Sequence, residues 1–308
     1  MQSGRSDPGT NPVLFRMCIL TSLVITGPRV NYPRGLEFME FTNVLVVYDP
    51  TRETQPAFDR AVAIAGAVSA KLHIFACIYS DIPRGEEKPA RIRSLLAEQK
   101  AVLDNITAPL HARGIQATTE VEWDKDWYQA VVRASVRNGA DVVLKSSFRH
   151  SAGQRVLNRT SDWTLIRDCL CPVLLVKEGS SGELRKVLAA IDLRNGRDDY
   201  ATLNRHIVEF SQKVVEGHNA EVHFINAFQS LQESPDRNAL MKYCGVSSDR
   251  IHIQLGEPED VIVNSARNLN AGLVVVGNSA RSGLAAMIRG NTVEKVLDKL
   301  ECDILSMP

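Results

Sequence analysis

Four apolar segments occur twice in this chain, in the same order. Asn43-Val-Leu-Val-Val-Tyr-Asp49 returns as Lys186-Val-Leu-Ala-Ala-Ile-Asp192. Lys71-Leu-His73-Ile-Phe-Ala76 returns as Glu221-Val-His223-Phe-Ile-Asn226, and Gly139-Ala-Asp-Val-Val-Leu-Lys145 as Ala271-Gly-Leu-Val-Val-Val-Gly277. The last pair is Cys171-Pro-Val-Leu-Leu-Val176 with Cys302-Asp-Ile-Leu-Ser-Met307. An ordered duplication constrains the fold more than any single motif, because one copy cannot adopt an architecture that the other refuses. The run from Leu273 to Val276 stops abruptly at Gly277, as a buried parallel strand does.

Helical periods lie between the runs. In the first copy they cover 56–68, 92–110, 128–136 and 163–169; in the second, 200–215, 258–269 and 291–300, with a stunted helix within 234–247. Strands alternating with helices predict an α/β fold, a parallel sheet with helices on both faces, once in each copy. The predicted division is a domain over 39–177, a Gly/Ser-rich linker over 178–185 and a second domain over 186–308. Residues 1–38 are expected to be a disordered tail or an upstream extension from start-codon assignment. Their first dozen are polar and Gly/Ser/Pro-rich, and Met39 stands directly before the first strand. The apolar stretch 13–26 contains Arg16 and is too short to span a bilayer.

The 308 residues suffice for two ordinary domains, and a formal net charge of zero argues against a broad nucleic-acid surface. The six cysteines have neither zinc spacing nor a disulfide framework, so they read as small buried thiols of a cytoplasmic protein. His73 and His223 read as core or edge histidines. There is no Gly-x-Ser-x-Gly elbow, no carboxylate pair in a motif and no metal spacing, so no catalytic constellation is expected.

One stretch carries ligand chemistry. After Gly277 come Asn278, Ser279, Ala280 and Arg281, then Arg289, Gly290, Asn291 and Thr292, and then a helical period. Strand, glycine loop and helix together allow backbone amides to hold an anion. This spacing resembles the nucleotide loop of the universal stress protein family, in which Gly, two residues, Gly, nine residues and Gly precede Ser or Thr. Gly277 and Gly290 match the outer glycines. Ala280 replaces the middle one, and Asn291 replaces the hydroxyl residue. Further segments resemble tandem-domain, E-type members of that family: Val47-Tyr-Asp-Pro50, Asp162-Trp-Thr-Leu-Ile-Arg167 with Cys171-Pro-Val, Leu255-Gly-Glu-Pro-Glu259 and Gly290-Asn-Thr-Val-Glu294.

The resemblance implies two tandem open five-stranded sheets, pseudo-twofold related, that pair through their last strands, 173–176 and 303–307, as a pseudo-dimer within one chain. A homodimer of whole chains stays open. It also implies a stress-response binding module for a small-molecule ligand, ATP or a related nucleotide, held weakly in the second copy. There Ala190 and Ile191 would line the base pocket and Asp192 would sit beside adenine. Gly256 and Pro258 would stand near the same pocket, and Arg281 and Arg289 would offset lost phosphate contacts. For Asp192 a plain turn or helix cap explains the residue equally well, as does a strand-to-helix turn for Gly256 and Pro258. In the first copy Lys145, Phe148, Asn158 and Arg159 occupy the signature positions, with Phe148 expected to fill the phosphate space. That copy is therefore expected to be a non-nucleotide scaffold. Two other functions stay open: an enzyme hydrolysing or transferring nucleotides at the second-copy pocket, and a sensor of an apolar or mixed ligand.

Overall fold

A computed structural model describes residues 41–148, 155–180, 184–193, 198–216, 220–278, 292–297 and 299–308. The expected N-terminal tail, 1–38, lies outside the described residues. Strands β1 (Asn43–Val47), β2 (Lys71–Ile78), β3 (Ala117–Trp123), β4 (Val142–Ser147) and β5 (Val173–Lys177) form the first half. Strands β6 (Lys186–Ala190), β7 (Glu221–Phe228), β8 (Ile251–Leu255), β9 (Leu273–Gly277) and β10 (Asp303–Met307) form the second. They join into one ten-stranded sheet in the order β3-β2-β1-β4-β5-β10-β9-β6-β7-β8. Neighbours run parallel except β5 and β10, which pair antiparallel with Leu175 opposite Ile304 and Leu174 opposite Leu305. The two expected five-stranded sheets are thus one continuous sheet, and its strand order reads the same from either edge.

The alternation of side chains along each strand assigns them to two cores. Val44, Val46, Leu174, Val275 and Leu305 face helices α1 (Pro56–Val68), α2 (Lys88–Ala112), α5 (Asp198–Val215) and α6 (Arg237–Cys244). Leu45, Val47, Leu175, Val274 and Ile304 face α3 (Trp127–Arg137), α4 (Arg155–Asp168), α7 (Pro258–Leu269) and α8 (Thr292–Leu297). Both cores run through the junction without a break, because β5 and β10 contribute to each. The stunted helix is α6, which ends at Gly245 in the left-handed region, φ 62°.

Helix starts differ from the sequence reading at α2, which begins at Lys88 rather than near 92, and at α4. Helix α4 begins at Arg155 rather than near 163, because its first turns are polar and give no apolar period. The described part of helix α8 runs to Leu297, whose carbonyl accepts from the Lys177 ammonium at 2.6 Å. Lys177 also donates its backbone N–H to Asp303 Oδ1 at 2.9 Å, and Arg60 of α1 reaches Asp303 Oδ2 at 2.8 Å. Asp303 is 2% exposed, so this carboxylate is a buried tie between the halves.

Candidate functional site

In an open α/β sheet the ligand crevice lies beyond the carboxyl ends of the strands where the strand order reverses. The second half reverses between β6 and β9. Just past β6, the main chain at Ile191 and Asp192 is clamped by two buried asparagines. Asn226 Nδ2 donates to the Ile191 carbonyl at 2.9 Å. Asn204 of α5 accepts from the Asp192 N–H at 3.1 Å and donates to the Asp192 carbonyl at 2.7 Å. Asp192 therefore sits, half-buried, on a fixed backbone at the mouth of the crevice. Ala190 is also half-buried, whereas Ile191 is 5% exposed and turns its side chain into the α5 core. Of the two residues expected to line a base pocket, Ile191 is committed to packing.

The first half repeats the clamp with different residues. Gln55, just before α1, donates to the Asp49 carbonyl at 2.6 Å and accepts from the Asp49 N–H at 3.2 Å. Asp49 Oδ1 accepts from the Thr51 N–H and hydroxyl at 2.9 and 2.6 Å, an Asx turn of the kind that competes with any ligand role. The sequence reading missed Gln55, Asn204 and Asn226. The only sequence signal for them is a carboxamide residue within or before an apolar helix or strand.

At β9, Gly277 has a packing role that its sequence context does not reveal. A Cβ there would lie 2.6 and 2.9 Å from Leu203 Cδ2 and Cγ, and 3.1 Å from Ile207 Cδ1. The glycine thus lets α5 sit close against the sheet. Asn278, expected on the ligand side, is instead turned into the junction. It is 2% exposed, donates its N–H to Met307 O at 2.7 Å and its Nδ2 to the Ile166 carbonyl of α4 at 2.9 Å. Ala280, Arg281, Arg289, Gly290 and Asn291 lie outside the described residues, and Thr292 opens α8. Gly256 has φ 148°, and Pro258 takes the first turn of α7, as a strand-to-helix turn requires. Next to it, Glu259 is 8% exposed and pairs with Lys295 of α8 at 2.7 Å. Burial pushes the Glu259 carboxyl up, but the Lys295 hydrogen bond and its own backbone N–H outweigh this and hold it below the usual carboxylate range.

The first half reverses between β1 and β4. By strand register Lys145 stands where β9 has Val276, and Ser146 where it has Gly277, one residue off the repeat read from the sequence. The Lys145 ammonium is engaged on three sides. It lies 2.9 Å from Asp162 Oδ1, 3.0 Å from the Ser146 carbonyl and 5.0 Å from the centre of the Trp127 ring. Phe148 does not fill the crevice. Its ring carries the Arg52 guanidinium at 4.5 Å and forms part of the wall of a cavity of about 360 Å³. Asn158 and Arg159 fall in α4, and their side chains are outside the described residues.

Other reactive groups are held inert. Burial pushes the Cys244 and Cys302 thiols up to about 12, and Cys77 up to about 11. Cys169 and Cys171 lie 3.6 Å apart, and this contact, with burial, raises Cys171 strongly. His223 is buried between Glu221 at 3.3 Å and His252 at 3.1 Å, while His73 bridges Thr118 and Glu120. Among the described residues no group of three or more His, Cys, Asp or Glu side chains is placed to hold a metal. No helix among them is long and apolar enough to cross a membrane.

The family model described as the universal stress protein family matches residues 40–177 and 227–308. This chain belongs to that family. Universal stress protein E of Escherichia coli K12 is 29% identical over 294 residues, which cover 86% of this chain and 93% of that protein. Its namesake from Photorhabdus laumondii is 30% identical over 298 residues, covering 87% and 95%. Among solved structures, a protein of unknown function from Pseudomonas aeruginosa PAO1 superposes with a TM-score of 0.67 at 26% identity, covering 87% of this chain and 93% of its own. A universal stress protein from Archaeoglobus fulgidus gives 0.69 at 18% identity, covering 88% and 97%, and so supports the fold alone. Each of these relatives covers 86% to 88% of this chain.

Proposed function

We infer that this universal stress protein is a binding module of the stress response whose adenine-nucleotide site, where one is used, is the crevice of the second half. The supporting observation is the contrast between the two switch points. The second half presents Gly277 at the end of β9. At the same strand end the first presents Ser146, whose hydroxyl accepts from the Ala57 N–H at 3.1 Å, and beside it Lys145, paired with Asp162. In the second half Val276 takes the register position of Lys145, so among the described residues no lysine–carboxylate pair stands at that strand end. Asp192, held by Asn204, is the natural partner for a ligand donor. In this reading the domains are 39–177 and 186–308, joined by 178–185, in a cytoplasmic protein. No acid–base pair converges on Asp192 among the described residues, which favours binding over catalysis.

Ala280 and Asn291 are expected to keep nucleotide affinity low, since one lost charge-assisted hydrogen bond costs roughly ten- to hundred-fold. Isothermal titration of ATP into the full chain tests this. Ala280→Gly with Asn291→Ser should tighten binding, and Arg281→Ala should weaken it. Undetectable heats for all three folded proteins would overturn the nucleotide reading. One observation then favours an apolar or mixed ligand: Leu231 and Leu255 are 79% and 57% exposed at the carboxyl ends of β7 and β8.

A further inference from the structure

We propose that the crevice of the first half is a second, independent ligand site, and that it takes a planar aromatic acid with a single negative charge. The cavity of about 360 Å³ lies beyond β1, β2 and β4 and has Tyr48, Tyr79, Trp127 and Phe148 in its walls. Tyr79 is 50% exposed, a large ring facing solvent at a concave site. Pockets of this size hold a ring system with one substituent, and aromatic walls select planar, apolar faces.

The charge class follows from which groups are already paired. Three carboxylates line the cavity, and each is engaged. Asp49 Oδ1 is held by Thr51. Asp124 accepts from the Asp126 N–H at 2.9 Å and from Arg133 at 2.6 Å. Asp162 is paired with Lys145 at 2.9 Å. Three cations also line it, but only Lys145 has a carboxylate partner. Among the described residues neither Arg52 nor Lys125 forms an ion pair. The cavity therefore offers two cations without a carboxylate partner, Arg52 and Lys125, against one carboxylate, Asp49, held by the neutral Thr51, a net excess of one positive charge. Arg52 lies over the Phe148 ring, its guanidinium carbon 4.5 Å from the centroid, and leaves its N–H groups without a carboxylate partner among the described residues. A fork held in that way suits a carboxylate bidentately. A triphosphate is disfavoured, because the register position of Gly277 is held here by Ser146, with no glycine to bring backbone amides to it. Recognition here is by side chains, and it does not depend on whether the second half binds ATP.

Isothermal titration of the full-length chain with indole-3-carboxylate, and with uncharged indole-3-methanol as its control, tests the assignment. The acid should bind saturably, and the alcohol at least roughly ten-fold more weakly. Arg52→Gln should weaken the acid by a similar factor and leave the alcohol unchanged. Phe148→Ala should weaken both. Asp192→Asn, in the other half, should alter neither. Three results would each overturn the proposal: no saturable heat for the acid, equal affinities for acid and alcohol, or a loss of binding that follows Asp192→Asn rather than Arg52→Gln.

Discussion

Replacing Arg60 by methionine should destabilise the whole molecule more than any exposed charge substitution. Arg60 lies on α1 of the first half, yet its Nη1 is 2.8 Å from Oδ2 of Asp303 on β10 of the second. The Asp303 side chain is 2% exposed and the Arg60 side chain 14%. The only other donor recorded to Asp303 is the Lys177 N–H at 2.9 Å, also from the first half. Methionine removes the counter-charge and leaves a buried carboxylate with one neutral donor. Breaking a buried pair from one side in this manner costs about 3–5 kcal/mol. Asp303→Asn keeps an acceptor for Lys177 and leaves Arg60 near enough to solvent to rehydrate, so its loss should be smaller, about 1–3 kcal/mol. Urea unfolding followed by far-UV circular dichroism and by tryptophan fluorescence measures both. Since the tie crosses the junction, the weakened variant should also show the two probes separating as the halves lose their coupling. If Arg60→Met shifted the midpoint no more than Arg91→Met, an exposed ion-pair control, the reasoning about a desolvated tie would be refuted.

Three further outcomes are expected. Gly277→Ala should cost about 1–3 kcal/mol because its Cβ would meet Leu203 at 2.6 Å; Leu203→Ala in the same chain should recover part of the loss, which a purely ligand-related glycine would not allow. Stability should fall on acidification below about pH 6.5, because burial and the charges of His223 and Arg237 hold His252 below its ordinary value. A group whose folded pKa is depressed contributes stability that is present above its unfolded value and lost as pH falls through the folded one. His252→Gln should flatten the urea midpoint against pH in that window, and an unchanged slope would exclude the histidine pair, with its neighbours Glu221, Asp249 and Arg250, as the cause. Residues 39–177 expressed alone should self-associate, since Val173, Leu174, Leu175 and Val176 are at most 7% exposed in the full chain and would become an apolar edge; a monomer by light scattering that unfolds like the whole chain would count against the shared junction.

Much of this architecture was legible because parallel strands buried on both faces are written as apolar runs. The duplicated runs predicted β1, β2, β4 and β5 and their second-half counterparts, and the apolar last strands predicted the junction. The outer strands escaped that reading. Ala117–Trp123 is half-buried along most of its length, and Glu120 and Glu122 point to Arg137 and Arg133 of α3, so its polar residues serve an ion-pair network rather than a core. The site was less legible than the fold. Asp49 and Asp192 were found from their position after the first strand of each copy. The amides that fix them come from unlike places: Gln55 precedes a helix and Asn204 lies inside one. Three-dimensional convergence from non-equivalent positions leaves no spacing to find. Asn278 was misassigned for a related reason. Its neighbour Gly277 belongs to a ligand-loop pattern, but the pattern does not say which way the next side chain turns, and a carbonyl on α4 of the other half captured it.

The junction also explains why the two crevices can differ so far while the sheet stays symmetric. β5 and β10 must match each other residue for residue, since Leu174 packs on the same face as Leu305 and Leu175 on the same face as Ile304. A change in one strand is felt by its partner, as cores filled to crystal-like density allow little slack. The switch points are under no such mutual constraint. They lie at the carboxyl ends of the strands, and the main chain at Asp49 in one half and at Asp192 in the other is clamped by an amide side chain from its own half. Lys145 could therefore stand where the second half has Val276, with its charge met locally by Asp162 and by the face of Trp127, without disturbing β10. A single chain with one shared sheet and two separately clamped crevices is physically suited to hold two unlike ligands. Titrating the acid probe in the presence of saturating ATP should give the same affinity as in its absence; a shift beyond about three-fold, roughly 0.65 kcal/mol of coupling, would show that the junction transmits occupancy between the halves.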